Sequence, residues 1–431
     1  MDAARYDARR MRRLLALYPG SLAQRRAQMR RLAPWLRARG IEVTLADDWV
    51  EAEDAECFSH VVQVPPPTEV GAVVAALATH ECDAILVQSE AAALSGALLC
   101  AERALPGASP TAALTCAGKH LTRAALAAHG VAQPEFALVE DARGVRAFAA
   151  GAFPVVLKAV ASAMSRLVTL VRSDAEVDAA VALVRAGLLC SPDVARLVAF
   201  GRASDLDLHL DPTRTFLVER FAAGDPVEVD GIAVGAVPHP YGVIGQRMTP
   251  PPLFYIEAYL LPAGRTDEAR ILATADAAVA AVGLRDAGYA IELRATSAGP
   301  RVVEVNGRLG EDDGYGELFA AAVGADPVQH AIAVAFGERP DPVSPPRGFH
   351  VLAYRNWLAG GRVAEVPDCH MLRRVGLRTG LSVCVGTDLR AAPHPETYPH
   401  LAWALAHDVA DPGIAYEHAR AALATLPFVV S

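Results

Sequence analysis

Residues Tyr289 to Arg308 read Tyr-Ala-Ile-Glu-Leu-Arg-Ala-Thr-Ser-Ala-Gly-Pro-Arg-Val-Val-Glu-Val-Asn-Gly-Arg, two strand-like runs joined by a turn that ends in Gly299. A three-residue loop, Ser297-Ala298-Gly299, with glycine in the left-handed position, sets Glu292 directly opposite Glu304. Like charges facing each other destabilise a sheet, so the pairing makes sense mainly where a cation sits between them. Period-two alternation adds Asn306 and Arg308 to the same face. Two carboxylates and an amide oxygen are hard ligands suited to Mg²⁺ that keeps some waters and takes further ligands from nucleotide phosphates. Arg308 is placed to clamp a carboxylate or a transferring phosphoryl group. Spacing alone leaves an exposed hairpin, its acids solvated or paired with Arg294 and Arg301, as an equal alternative.

Such a hairpin needs a scaffold. Strand signals at Leu14–Tyr18, Ile41–Ala46, Val61–Val64 and Ala84–Val87 alternate with helical stretches such as the basic run from Ser21 to about Arg39, which predicts a parallel, doubly wound sheet. Pro106-Gly107-Ala108-Ser109-Pro110 punctuates the chain. Beyond it the pattern becomes α+β, with helices predicted over Gly118–His129, Asp174–Ala186 and Asp267–Val282. A second proline-rich stretch at Pro340–Pro346 opens a closing segment of short strands and a helix over Gly413–Leu426. The expected division is 1–108, 109–340 and 341–431.

Taken in order, the motifs resemble those of the ATP-grasp superfamily. Glu292 followed by Glu304-Val-Asn-Gly-Arg-Leu-Gly310 is similar to its E…E-(I/V)-N-x-R-(L/F)-G signature, and Lys119 with Gly130-Val-Ala-Gln-Pro134 resembles its D-K…G-(I/V)-x-x-P opening. Phe153-Pro-Val-Val-Leu-Lys158 is similar to the strand whose terminal lysine holds the α- and β-phosphates, and Phe216–Gly224 to the hinge that grips adenine. The resemblance implies ATP with Mg²⁺ (Mn²⁺ as a substitute), Glu292, Glu304 and Asn306 as metal ligands, and Lys119 and Lys158 on the phosphates. It assigns base recognition to Glu219 and the backbone of Arg220 and Ala222. It is closest to the carboxylate-amine branch, the amino-acid and dipeptide ligases, in which a carboxylate near Arg308 becomes an acyl phosphate and an amine then displaces phosphate.

The chain departs from that pattern in several places. Gly118 replaces the acid before the lysine, and the phosphate-covering segment Ala161–Leu167 lacks glycine, leaving Ser162 and Ser165 as hydroxyl donors. Pro226 stands where a ribose-binding glutamate is usual, with Glu228 on the same strand face as the substitute. Arg308–Asp313 carries extra acids beside the pocket, which favours an amine-bearing acceptor or, equally, a helix cap at Asp312 or Asp313. Tyr241–Ala263, with Gln246, Arg247, Phe254, Tyr255 and Glu257, occupies the place where the substrate pocket is shaped. Glu257, Glu90 and Arg308 are the substrate-facing candidates, Glu90 doubling as a cap for the helix that follows.

The resemblance implies small-molecule carboxylates and amines as partners, and composition argues against other classes. A net charge of −9 argues against a phosphate-backbone partner, and the arginines between Arg9 and Arg39 fall at helical spacing, as on a solvated helix face. Apolar runs are short and bounded by charges, so no membrane partner is expected, and no secretory pattern follows Met1. Seven scattered cysteines without a CxxC pair suit a reducing, cytoplasmic setting. A homodimer is the base-rate expectation. Two other readings stay open: a carboxylase of the biotin-carboxylase type acting on bicarbonate, and a nucleotide-binding protein that has lost turnover.

Overall fold

The computed structural model describes residues 11–250, 253–310, 312–391 and 400–431, so Pro251, Pro252 and Glu311 of the predicted pocket segments, and Arg9 and Arg10 of the basic run, lie outside the described residues. Near the N-terminus, strands His60–Gln63, Ile41–Asp47, Arg12–Leu17 and Ala84–Val87 form a parallel sheet in that order. Leu14 and Ala16 pack with Met29, Leu32 and Leu36 of the helix Leu22–Ala38. Leu15 and Leu17 point the other way, against Val73, Leu77 and Leu99. Burial on both faces explains why this strand is an unbroken apolar run.

The basic helix corrects one expectation. Its face is solvated only in part: Arg30 and Arg37 are exposed, but Arg25 is 1 % exposed and bonded to Asp54, with Nη1 3.0 Å from Asp47, and Arg31 pairs with Glu317 and Asp326 at 3.0 and 2.9 Å. A buried arginine persists only where carboxylates balance it, and these come from distant parts of the chain.

A second, antiparallel sheet runs Phe136–Val139, Phe216–Arg220, Val155–Ala159, Val168–Val171. Its apolar face is covered by Val181, Val184, Leu197 and Phe200 from the helices Val177–Leu188 and Pro192–Ser204. The largest sheet has nine strands among the described residues. Gly299–Asn306, Ala287–Thr296 and Gly224–Val234 stand side by side at one end, and Ile256–Leu261 pairs with Phe349–Asn356 through Ala258 opposite Ala353. Helix Glu268–Ala281 backs the hairpin through Ile271, Ala275 and Val279. Parallel and antiparallel sheets in this arrangement make an α/β and α+β architecture. Among the described residues no single helix is long and apolar enough to cross a membrane.

Candidate active site

The hairpin register sets Glu292 opposite Glu304, but not through the loop the sequence suggests. Thr296 pairs with Gly299, so the connection is two residues, Ser297-Ala298, and a bulge between Glu292 and Leu293 on one strand and Val302 and Glu304 on the other restores the offset. Gly299 has φ +114°, and a Cβ there would meet the Arg270 guanidinium at 2.3 Å. The neighbouring strand extends the row, because Glu228 lies opposite Glu292. Three carboxylates therefore cross three adjacent strands at one level.

Like charge raises the cost of ionising them. Burial, then Glu304 and Glu228, push the Glu292 carboxyl up to about 8. Glu228 is likewise raised, by burial and by Asp230, and accepts a hydrogen bond from Gln246 Nε2 at 2.6 Å. Glu304 is instead compensated by Lys119, whose Nζ donates to it at 2.6 Å and to the Ser162 carbonyl at 2.7 Å. Burial works against the Lys119 charge, but Glu304, Glu90 and Glu292 outweigh it and hold its pKa up. Among the described residues no cluster of three His, Cys, Asp or Glu is arranged for a metal; the set here is two carboxylates and the buried amide of Asn306. Those oxygens fit Mg²⁺, and a divalent cation would offset the repulsion that adds to burial in raising the Glu292 pKa.

The opposite wall comes from the smaller antiparallel sheet. Lys158, next to last in its strand, has Nζ 2.8 Å from Glu219 Oε2. Burial, only partly offset by Glu219, holds the Lys158 pKa below that of an ordinary lysine. The other Glu219 oxygen meets Arg123, a fully buried side chain that sequence reasoning missed. Arg123 also donates to the carbonyls of Val302 and Val303 at 3.0 and 2.7 Å, tying the hinge to the bulge of the hairpin. Its only local signal is position: it lies four residues after Lys119 and so one helical turn along. Arg220 and Ala222 both line the cleft; the Arg220 amide donates to the Glu135 carbonyl at 2.9 Å and its guanidinium turns to the carbonyls of Phe148, Ala149 and Ala152.

Between the two walls lies a cleft of about 1060 Å³, lined by Lys158, Ser162, Ser165, Glu292, Glu304 and Arg308 among others. The glycine-free segment covering it still takes left-handed backbone: Met164, Ser165 and Leu167 have φ of 54°, 55° and 54°. Each such residue costs roughly 1–3 kcal/mol, so something must hold the loop. Asp193 does, accepting from the Ala163 amide at 3.1 Å and from Arg166 at 2.6 Å. Leu167 packs down where Gly187 leaves room, since a Cβ there would lie 2.1 Å from its methyl group.

At the far end of the cleft Arg308 Nε donates to Glu90 Oε2 at 3.4 Å, so two of the substrate-facing candidates meet. Glu90 does not cap its helix; Ser89 does, through its hydroxyl and the Ala92 amide at 3.1 Å. Glu257 is not brought to the cleft. The bulge that pairs Met248 with Ile256 and Arg247 with Ala258 leaves Glu257 as the extra residue, 3.4 Å from Arg247, whose guanidinium covers the Tyr416 ring. Phe254 lines the cleft, while Tyr255 is buried at 1 % exposure.

No family model matches the sequence. An uncharacterized protein, y4rH, of Sinorhizobium fredii is 31 % identical over 250 residues, which cover 56 % of this chain and 46 % of that protein. Among solved structures, the L-amino acid ligase of Bacillus licheniformis superposes with a TM-score of 0.77 at 17 % identity, over 97 % of this chain and 99 % of that one. Phosphoribosylglycinamide synthetase of Anaerococcus prevotii gives 0.69 at 12 % identity, covering 97 % and 100 %. The biotin carboxylase domain of the Hydrogenobacter thermophilus 2-oxoglutarate carboxylase, solved with Mg-ADP, ADP and bicarbonate, gives 0.70 at 15 % identity, covering 98 % and 91 %. At these identities the likeness is one of fold, and the fold of the chain is the ATP-grasp fold that its motifs led one to expect.

Proposed function

We propose that this protein is an ATP-dependent carboxylate-amine ligase that forms an amide through an acyl phosphate and releases ADP and phosphate. The observation that carries the reading is the convergence on one cleft of the Glu292–Glu304 pair, Lys158 and Arg308, with the Lys119 ammonium bound to Glu304 behind it. Those groups neutralise and position charge; none is a nucleophile, which suits phosphoryl transfer, where positioning and electrostatics do most of the work.

In this reading Lys158 and Lys119 hold the phosphates, and the hydroxyls of Ser162 and Ser165 close over them. Glu292, Glu304 and Asn306 would hold Mg²⁺, which when bound spreads charge over the β- and γ-phosphates. Arg308 orients a substrate carboxylate in line with the γ-phosphorus, an oxygen–phosphorus bond forms, and the bond to ADP breaks. An amine nitrogen then attacks the acyl carbon and phosphate leaves. Glu219 serves mainly to fix Lys158, the Ala222 backbone meets the base, and Glu228 belongs with the acid row more than with a ribose.

The test is incubation with Mg-ATP and mixed carboxylic and amino acids, followed by phosphate release and mass spectrometry for a new amide. ADP formation that never depends on both an acid and an amine would reject the ligase reading. Stimulation by bicarbonate alone would point to a carboxylase, and binding of ATP without turnover to a lapsed enzyme.

A further inference from the structure

Strand register fixes which residues face each other at the hinge end of the cleft, away from Arg308. On the small sheet Lys158 lies beside Leu217, Val156 beside Glu219 and Val155 beside Arg220, so the strand runs from Lys158 back toward the hinge. On the large sheet Glu292 lies opposite Glu228 and Arg294 opposite Pro226, two residues nearer to Gly224, where the hinge enters that sheet. Side chains two apart share a face, so Val156 looks into the cleft with Lys158 and Arg294 with Glu292; all four line it. Each of the two is set back by about 7 Å from its partner, a step that one ribose bridges. A nucleotide whose phosphates sit at Lys158 and Glu292 thus has its base between Val156 and Arg294.

Arg294 differs from the other arginines of the site. Arg123 is engaged by Glu219, Arg220 by three carbonyls and Arg308 by Glu90. Arg294 is half-buried, yet among the described residues its one hydrogen bond is a long one, from Nη1 to the Gly224 carbonyl at 3.4 Å. The carboxylates that act on it through space, Glu292 and Asp225, form no ion pair with it, and Asp225 is held by Arg265 at 2.6 Å. Its guanidinium carbon lies 5.9 Å from the centroid of the Phe254 ring, which also lines the cleft. A planar guanidinium is weakly hydrated and stacks on π-systems, which a lysine ammonium does less well. Across the cleft Val156 offers an aliphatic face, so the two walls together make a slot for a flat ring.

We propose that Arg294 is a base-selecting residue of the cleft: its guanidinium lies flat against a purine, opposite Val156, and makes a purine nucleotide bind more tightly than a pyrimidine one. The proposal rests on the nucleotide half of the ligase reading and deepens it. Two fused rings cover more of the guanidinium and of Val156 than a single ring does, which sets the preference. The same arginine could instead reach a phosphate, and the two roles differ in one measurable way. A contact on the base persists when the phosphates are removed, and it needs the plane of the guanidinium as well as its charge.

Calorimetry on the full chain with Mg-ADP, Mg-CDP and adenosine separates them. The parent is expected to bind ADP several times more tightly than CDP. Arg294→Ala should weaken ADP and adenosine by the same factor, about threefold to thirtyfold, and narrow the gap between ADP and CDP. Arg294→Lys, which keeps the charge and loses the plane, should stay close to the alanine variant. A loss confined to ADP, adenosine failing to bind where ADP binds, an unchanged ADP-to-CDP ratio in both folded variants, or full recovery by lysine would overturn the proposal. Any of these with ADP bound by the parent sinks this proposal alone. A parent that binds neither ADP nor adenosine would sink the nucleotide reading beneath it as well.

Discussion

Arg123 meets Glu219 through two nitrogens, Nε and Nη2, each 2.8 Å from Oε1, while Lys158 Nζ takes Oε2 at the same distance. The carboxylate is held below its usual pKa, because the two cations outweigh the burial that would raise it. All three side chains are almost wholly buried. Removing one member of such a set leaves an uncompensated charge, a loss of about 3–5 kcal/mol. Arg123→Ala is therefore expected to lower unfolding stability by about that amount in urea titrations. Arg123→Lys should recover little, since a lysine lacks the fork that also holds the carbonyls of Val302 and Val303. A loss under about 1 kcal/mol in the alanine variant would show that the hinge and the hairpin are not locked this way.

Glu304 tests the cation reading. Glu304→Gln keeps an oxygen for Lys119 but removes the charge that faces Glu292. Acid-dependent ADP release should fall by at least about a hundredfold, the scale of losing a main electrostatic stabiliser. The half-saturating Mg²⁺ concentration should rise as well. Near-normal turnover at ordinary Mg²⁺ would mean that the metal lies elsewhere.

How far the site can be read from the chain depends on how local its parts are. Glu292 and Glu304 share one hairpin, so alternation alone brings them together, and even a wrong loop length was compensated by the bulge. Lys158 stands near the end of an apolar strand and is equally visible. Arg123 is not, because Glu219, Val302 and Val303, which fix its role, lie 96 to 180 residues away and nothing in its helix marks it as buried. Asp193 opens a helix, Pro192–Ser204, that the pattern did not single out, and its role appears only when the loop folds onto it. Glu257 failed for the opposite reason: alternation cannot anticipate a bulge. Arg25 looked solvated because helical spacing says nothing of acids on another segment.

His400 gives a pH dependence away from the acid row. It is buried, stacked on Tyr354 at 3.9 Å and 13°, and burial drives its pKa from 6.5 to about 3. Between those values the unfolded chain binds a proton that the folded one refuses, so stability falls as pH drops from 6.5 toward 3. His400→Phe keeps the stack, and the Ile256 carbonyl keeps Asn356 Nδ2 at 2.8 Å. Thermal unfolding at pH 7 and pH 4 should show a smaller drop in the variant than in the parent. An equal drop would place the acid sensitivity in other groups.

Asp193 links the loop proposed to cover the phosphates to the Arg308 end of the cleft. It holds Ala163 and Arg166 on one side and Arg196 at 2.8 Å on the other; Arg196 lies 3.7 Å from Glu90, and Glu90 reaches Arg308 at 3.4 Å. Asp193→Asn removes the charge that pins three left-handed residues over the cleft. Charge-assisted hydrogen bonds are worth about 1.5–3 kcal/mol, so the KM for ATP should rise by about tenfold or more. Glu90→Gln interrupts the chain nearer Arg308 and should raise the KM for the carboxylate while leaving that for ATP within about twofold, because Asp193 still holds the loop. If both variants shifted the two constants alike, the loop and Arg308 would be acting as one unit and the separation argued from these distances would fail.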